Sequence, residues 1–142
     1  MNIDQSEFRV GHTVGFWLAV AMSALQGLNA VRTAIDPISF ATYMGIPITL
    51  TEQAAWVQIY GLRAAFISLL TAVLLARDDM AALKWTAVAA LVMPLGDAWL
   101  AYQASAPMSV VGRHVAIVVF LFLASYFLGR AAKQQTTVAR NA

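Results

Sequence analysis

Long apolar stretches containing few polar residues recur four times along the chain and define its predicted architecture. They cover about residues 12–33, 54–76, 81–102 and 108–129. A helix needs roughly 20 mostly apolar residues to cross a bilayer, so each stretch is long enough for one span. The pattern therefore predicts an all-α membrane protein, a single domain over residues 1–142 built as an antiparallel bundle of four transmembrane helices.

The connections between these stretches agree with that architecture. Short polar turns at residues 77–79 and 105–107 join the second stretch to the third and the third to the fourth, as expected for antiparallel neighbours. The longer first connection predicts a short interfacial helix between helices 1 and 2. Asp36 can cap this helix, Pro37 suits its first turn and Gly45 suits its end. The polar tail, residues 130–142, is expected to be disordered.

The composition supports a membrane protein and excludes several other classes. Hydrophobic residues make up 61% of the 142-residue chain and charged residues 11%, and the mean hydropathy is +0.70. A soluble domain of this size cannot bury so much apolar surface. The net charge of +2, without a cluster of basic residues, gives no electrostatic footprint for nucleic acid. The absence of cysteine excludes disulfides, thiolate nucleophiles and cysteine-ligated metals.

Lys and Arg residues near the spans predict the orientation in the membrane. Most of them lie in the N-terminal segment, in residues 77–84 and in the tail, which all fall on one side of the bundle, whereas the other side has at most Arg32 and Arg113. The positive-inside rule then places both termini in the cytoplasm. A cleaved signal peptide is the rival interpretation of the first stretch, but its leader carries the acidic Asp4 and Glu7 instead of basic residues.

Three charged or titratable side chains lie inside the spans, where such groups are rare and are functional candidates by default. They are Arg63, Asp97 and His114 on the second, third and fourth spans. At about 1.5 Å of rise per residue, they lie roughly 13, 8 and 9 Å from the same end of the bundle. Gln26 and Asn29 of the first span fall at a similar depth. The sequence thus predicts one polar layer in the outer half of the bundle.

Aromatic side chains and a methionine are expected to wall a pocket around this layer. Trp56, Tyr60 and Arg63 form one predicted stripe on the second span. Pro94 lies three residues before Asp97 and is expected to kink the third span beside the acid. The predicted substrate-binding residues are Tyr60, Gln26, Asn29, Trp56, Met93 and Trp99.

Each of the candidate residues also has a purely structural interpretation. Arg63 and Asp97 can be an ion pair that only fixes helix packing, and loss of one partner would then cost about 3–5 kcal/mol. His114 can be a neutral histidine that is hydrogen-bonded to a neighbouring helix, and the two amides of the first span can have the same role. Arg113 is interpreted as an arginine that extends to the membrane interface.

Several short motifs resemble those of a known family. They are Phe40-x-x-x-Met44-Gly45-Ile46-Pro47 at the end of the short helix, Gly61-Leu62-Arg63 in the second span, Gly96-Asp97 in the third and His114 early in the fourth. Together they are similar to the small four-helix DoxX-like membrane proteins, especially the uncharacterised branch of that superfamily, over about residues 12–129. The resemblance implies an antiparallel four-helix membrane bundle. DoxX-like proteins are variously described as oxidoreductase subunits or as proteins without a known role.

The polar layer is compatible with an integral-membrane enzyme that uses acid/base chemistry on a lipophilic small molecule and needs no cofactor. Asp97 would be the general base or acid, and His114 would transfer the second proton. Arg63 would orient Asp97 or stabilise negative charge that develops on oxygen. The reaction would be epoxide opening, by hydrolysis or cyclisation, or an isomerisation.

The alternative is a non-catalytic membrane accessory, ligand-binding or transport subunit whose polar layer is structural or a binding site. No metal is expected in either case, since no ligand spacing supports one. The expected partners are a lipophilic small-molecule substrate, the lipid bilayer and possible further copies of the chain, and no nucleic acid. A transporter in particular predicts an oligomer, because four short helices leave little room for alternating access.

Overall fold

Six α-helices form an all-helical bundle in the computed structural model, which describes residues 10–141. The helices are α1 (Val14–Ile35), α2 (Pro37–Met44), α3 (Ala54–Ala76), α4 (Met80–Ala90), α5 (Val92–Gln103) and α6 (Met108–Asn141), with short 3-10 turns at Val10–His12 and Thr51–Gln53. Four helical segments are long and apolar enough to cross a membrane: α1, α3, α4 together with α5, and α6. This confirms the predicted fold of four spans, with α2 as the short helix between the first two.

Alanine is the commonest buried apolar residue of the bundle, next to a few large side chains such as Met80 and Leu83, and many large apolar side chains cover the outside. Ala19, Ala87 and Ala124 are fully buried, whereas Trp17 and Leu69 are mostly exposed. Such a large apolar surface is unfavourable in water but not against lipid chains. The distribution therefore fits a bundle surrounded by hydrocarbon, in which close packing of small residues joins the helices.

α1 is joined to α3 by polar and small side chains. Ser23 Oγ donates to the carbonyl oxygen of Ser68 at 2.9 Å, and Ser68 Oγ donates to the carbonyl oxygen of Ser23 at 2.9 Å. A Cβ atom at Gly61 would come within 2.9 Å of Thr33 Cβ, so the two helices approach closely there. Hydrogen bonds between helices and close backbone approach are the usual means of helix association in lipid.

The third span is divided at Leu91 into α4 and α5. Pro94, three residues later, has no N–H to donate to the carbonyl of Ala90, and its ring crowds that carbonyl. The interruption lies where the sequence predicts a kink. As a consequence, Asp97 belongs to a new helix that begins at Val92.

α2 covers one end of the bundle, and both of its ends are capped as predicted. The side chain of Asp36 accepts a hydrogen bond from the backbone N–H of Ser39 at 2.9 Å, and Gly45 ends the helix with a left-handed φ of 89°. A Cβ atom at Gly45 would come within 2.6 Å of Val110 Cγ1, so glycine also lets α2 dock on the start of α6. We call this the α2 end of the bundle; the turn at residues 77–79 lies at the opposite end.

The last helix differs from the prediction at its carboxyl-terminal end. The sequence predicts disorder after residue 129, but α6 continues as a helix to Asn141. Ala131 is buried in the cluster of side chains that includes Leu83 and Leu128. Gln135 Nε2 donates to the carbonyl oxygen of Asp78 at 2.8 Å. Residues 131–135 are also alanine, lysine and glutamine, which favour helix. Packing against α4 and this hydrogen bond extend the helix beyond the apolar stretch.

Candidate ligand-binding cavity

A cavity of about 270 Å³ lies between α1, α3, α5 and α6, in the half of the bundle nearest α2. Most of its wall is apolar, formed by Met22, Leu25, Met44, Ile67, Ala90, Met93, Pro94, Ala116, Ile117, Phe120 and Leu121. Its polar lining residues are Gln26, Asn29, Tyr43, Tyr60, Asp97, Arg113 and His114. Small-molecule sites have this character, an apolar wall with a few polar groups, and volumes from about 300 Å³ upward.

The polar layer predicted from the sequence surrounds this cavity. From α1, Gln26 and Asn29 line it together with Met22 one turn earlier, so the three residues share a helix face. The other spans each contribute at least one further predicted residue. Six of the nine predicted site residues line the cavity: Gln26, Asn29, Tyr60, Met93, Asp97 and His114.

Two of the apolar lining residues reach the outer surface of the bundle. Leu25 on α1 is 49% exposed and Ile117 on α6 is 41% exposed. Both residues belong to helices that pack against each other, α1 and α6.

His114 is the most deeply buried of the polar lining residues, with only 4% of its surface exposed. Its Nε2 lies 3.3 Å from the carbonyl oxygen of Met44, the last residue of α2. A carbonyl oxygen only accepts, so Nε2 carries the hydrogen in this contact. The other ring nitrogen, Nδ1, is buried and has no hydrogen-bond partner within residues 10–141. Buried polar atoms are nearly always paired in proteins, so an unpaired one requires a partner such as a water molecule, an ion, a ligand or a reacting group.

Asp97 lines the same cavity from α5 and is only partly exposed. His114 on α6 and Tyr60 on α3 line this cavity too. A carboxylate that leaves water is costly unless other groups compensate it. An acid and an imidazole that face one cavity are therefore candidates for proton transfer.

α2 positions two of these side chains. Besides the contact between Met44 and His114, the ring of Phe40 in α2 lies 5.6 Å from the ring of Tyr60, measured between centroids. Phe40 is itself buried and fixes that end of α3. α2 thus positions Tyr60 on α3 and His114 on α6 at the same depth in the bundle.

Three residues that the sequence assigned to the site lie outside it. Arg63 is exposed, and it is not among the residues that line the cavity. Trp56 and Trp99 are 75% and 59% exposed and also lie on the outer surface. Within the described part of the chain, no salt bridge joins Arg63 to Asp97. The predicted ion pair is therefore not part of the cavity, and the position of Arg63 does not support its predicted role of orienting Asp97.

The rotation of α3 explains this correction. A helix turns by about 100° per residue, so Trp56 and Arg63, seven residues apart, share one direction to within about 20°. Tyr60 points about 40–60° away from both. Gly61 and Ala64 are buried where α3 meets α1, and this packing turns Tyr60 inward and leaves Trp56 and Arg63 outside.

Tyr43 and Arg113 line the cavity although no sequence signal placed them there. Arg113 Nη2 donates to the carbonyl oxygen of Tyr43 at 2.8 Å, and its guanidinium carbon lies 4.1 Å from the centroid of the Tyr43 ring. The two residues are 70 positions apart, so only the docking of α2 on α6 brings them together. The one available hint was that Arg113 directly precedes His114.

The cavity as a whole offers a carboxylate, an imidazole, two phenols, two amides and a guanidinium. Groups of this kind transfer protons and hold polar oxygen atoms of a bound molecule. Among the residues that the structure describes, no three His, Asp or Glu side chains lie together as metal ligands.

Comparison with known proteins identifies a family. The model of a family described as a domain of unknown function, DUF4267, matches residues 20–128, a range that includes every residue lining the cavity. No curated protein and no solved structure gives a significant match. The match covers more than half of the chain, and the chain belongs to the DUF4267 family.

Proposed function

We propose that this protein is an integral-membrane enzyme that transfers protons on a lipophilic small molecule bound in the cavity. The observation that carries the proposal is that His114, whose buried Nδ1 has no partner within residues 10–141, and Asp97 line the same cavity. The apolar wall supports a lipophilic substrate, and the exposed Leu25 and Ile117 support its entry from the bilayer.

In the proposed mechanism Asp97 and His114 move protons in opposite directions. The Asp97 carboxylate removes a proton from the substrate or from water, while the imidazolium of His114 gives a ring proton to the substrate atom that gains electrons. In epoxide opening, water or a hydroxyl group of the substrate attacks carbon, the carbon–oxygen bond breaks and the ring oxygen takes that proton. In an isomerisation, one carbon loses a proton and another gains one. Asp97 then returns its proton to His114, which restores both groups.

The remaining polar groups would hold the substrate oxygen. Tyr60, Gln26 and Asn29 line the cavity at the same depth and can each donate a hydrogen bond. Fixed donors stabilise negative charge on oxygen most effectively where water is excluded. This role replaces the one that the sequence analysis gave to Arg63.

Turnover by the purified protein in detergent tests the catalytic assignment. A panel of lipophilic epoxides is incubated with the protein, and the diols or cyclised products are measured by mass spectrometry. Asp97→Asn and His114→Gln are each expected to lower kcat by at least about 100-fold, the usual contribution of a general acid or base. Arg63→Gln is the matched control, because it changes an exposed polar residue at similar depth, and it should keep the wild-type rate. Full activity in both cavity variants would refute the assignment.

A non-catalytic ligand-binding subunit is the second candidate, and the largely apolar wall of the cavity favours it. Such a protein would bind the same lipophilic molecules and release them unchanged. Transport is less well supported, because the opposite half of the described bundle is filled by fully buried side chains, among them Met80, Leu83 and Leu128. Recovery of intact ligand from a wild-type complex, with no product at any pH, would favour the binding role.

We also propose a distant relationship to the DoxX-like membrane proteins and a location of both termini in the cytoplasm. The short motifs that include Gly96-Asp97 and His114, together with the four-span bundle, support the first proposal. The distribution of Lys and Arg residues supports the second. With that orientation, the cavity lies in the outer leaflet of the membrane.

A further inference from the structure

Two arginines from different helices contact one tyrosine at the α2 end of the bundle. The guanidinium carbon of Arg32, near the end of α1, lies 4.3 Å from the centroid of the Tyr43 ring. The guanidinium carbon of Arg113, near the start of α6, lies 4.1 Å from the same centroid. The distance between the two guanidinium carbons therefore cannot exceed the sum of these two distances. We call Arg32, Tyr43 and Arg113 the arginine pair site.

The acidic side chains near this site in the described part of the protein do not pair with its arginines, although one of them, Asp97, lines the adjoining cavity. No salt bridge to an acidic side chain is formed by either arginine within residues 10–141. The nearest acid along the chain, Asp36, accepts the backbone N–H of Ser39 at 2.9 Å and caps α2. The Tyr43 ring attracts each cation through its face but carries no net charge. Two positive charges that contact one ring create a positive potential that favours an anion beside them.

The guanidinium group determines which anions fit. Its planar arrangement of N–H donors matches the oxygens of a carboxylate or a phosphate, and such charge-assisted hydrogen bonds are stronger than neutral ones. Arg113 uses Nη2 to donate to the Tyr43 carbonyl, which fixes its guanidinium and leaves its other N–H groups for a ligand. Arg32 is held over Tyr43 and also lies 5.8 Å from the ring centroid of Phe40.

The arginine pair site is continuous with the cavity. Tyr43 and Arg113 line the cavity, and Arg113 directly precedes His114. Arg32 is three residues before the end of α1 and Arg113 is five residues after the start of α6, so both lie within roughly 5–8 Å of the ends of their helices. An elongated molecule can therefore place a charged end near the membrane interface and an apolar body among the side chains deeper in the bundle.

We infer that the ligand is an anionic amphiphile, whose carboxylate or phosphate binds the arginine pair site and whose apolar part fills the cavity beside Asp97 and His114. The inference deepens the proposed function, on which it rests for the use of the cavity, by naming the class of substrate. It does not require catalysis, so it can be tested by binding alone.

Octanoate and its methyl ester are a matched pair of probes that differ in charge. Binding is measured by equilibrium partition to the protein in phosphatidylcholine nanodiscs, with empty nanodiscs as the blank. The wild-type protein should bind octanoate at least about tenfold more tightly than methyl octanoate, because charged hydrogen bonds are stronger than neutral ones. Arg32→Gln and Arg113→Gln should each remove that preference. Arg77→Gln, at the exposed turn of the opposite end, is the matched control and should keep it. Equal binding of the acid and the ester to the wild type overturns the inference.

Two further experiments distinguish this ligand from a lipid headgroup of the bilayer and from a small free anion. Acetate and inorganic phosphate carry the charge without a chain, and neither should displace octanoate when present at equal concentration. Replacing half of the phosphatidylcholine by phosphatidylglycerol should leave the preference for octanoate over its ester intact. Displacement of octanoate by acetate or phosphate, or loss of the preference in the bilayer that contains phosphatidylglycerol, contradicts the inference, because the site would then hold a small anion or a headgroup.

The outcome is independent of the catalytic assignment. If the preference is absent while the epoxide turnover persists, the proposed function stands and the anionic substrate class fails. If the preference is present and turnover is absent, the ligand class stands and the catalytic proposal fails.

Discussion

At the scale of single residues, sequence predicted depth along the helices but not rotation about them. Counting about 1.5 Å per residue from the span ends placed Asp97, His114 and Asn29 in one layer, and all three line the cavity. The same count placed Arg63 in that layer, but packing between α1 and α3 turns it outward. The rotation of a helix about its axis depends on which of its faces packs against a neighbouring helix. The residues of one stripe do not contain that information.

Replacing His114 tests whether its role is functional or structural, because the two roles predict different effects on stability. Replacement by leucine removes the 3.3 Å contact with the Met44 carbonyl but also removes the cost of burying an unpaired Nδ1. These two effects oppose each other and are each about 1–3 kcal/mol or less. We therefore expect His114→Leu to change the free energy of unfolding in detergent by no more than about 1 kcal/mol while abolishing turnover. A loss of several kcal/mol with activity retained would identify a structural histidine.

At the scale of elements, the helices and the caps of α2 were predictable, because span length, Asp36, Pro37 and Gly45 are local signals. The extension of α6 was not, because it depends on the packing of Ala131 against α4 and on the hydrogen bond from Gln135 to Asp78. The arginine pair site could not be predicted either, since its three residues come from three helices that meet only in the folded bundle.

Close backbone contact between α1 and α6 predicts which glycines the bundle requires. A Cβ atom at Gly15 would come within 2.9 Å of backbone atoms of Phe127 and Leu128, whereas one at Gly112 would have no neighbour within 4 Å. We expect Gly15→Ala to destabilise the bundle by about 1–3 kcal/mol, as overpacking usually does. Gly112→Ala, the control on α6, should be neutral or stabilising by up to about 1 kcal/mol through helix propensity. Thermal unfolding in one detergent compares the two variants, and equal stability would contradict the close contact.

At the scale of the whole molecule, the inside and the outside of the bundle differ in the side chains that they contain. Large apolar side chains cover the lipid-facing surface, small ones join the helices, and polar groups gather in one cavity near α2. The opposite half is a packed apolar core. The sequence already indicated this asymmetry, because the polar residues of its spans lie at one depth. Composition alone indicated only a membrane protein.

The orientation of this asymmetric bundle is open to a direct labelling experiment. The chain has no cysteine, so a single introduced thiol gives no background. We expect a membrane-impermeant maleimide to label Ser105→Cys in intact cells and to label Arg77→Cys only after the cells are opened, because the turn at residues 77–79 is predicted to be cytoplasmic. The reverse pattern would place the cavity in the inner leaflet and both termini outside.

The central claim is that Asp97 and His114 transfer protons to and from a molecule bound in the cavity. Deuterium exchange tests it most directly, because it reports proton transfer even when no net product forms. Lipophilic enones are incubated with the protein in D2O, and deuterium on carbon is measured by mass spectrometry. The wild type and Arg63→Gln should incorporate deuterium at similar rates, whereas Asp97→Asn and His114→Gln should be slower by at least about 100-fold. Exchange at the wild-type rate in both cavity variants, or equal exchange without protein, would contradict the claim.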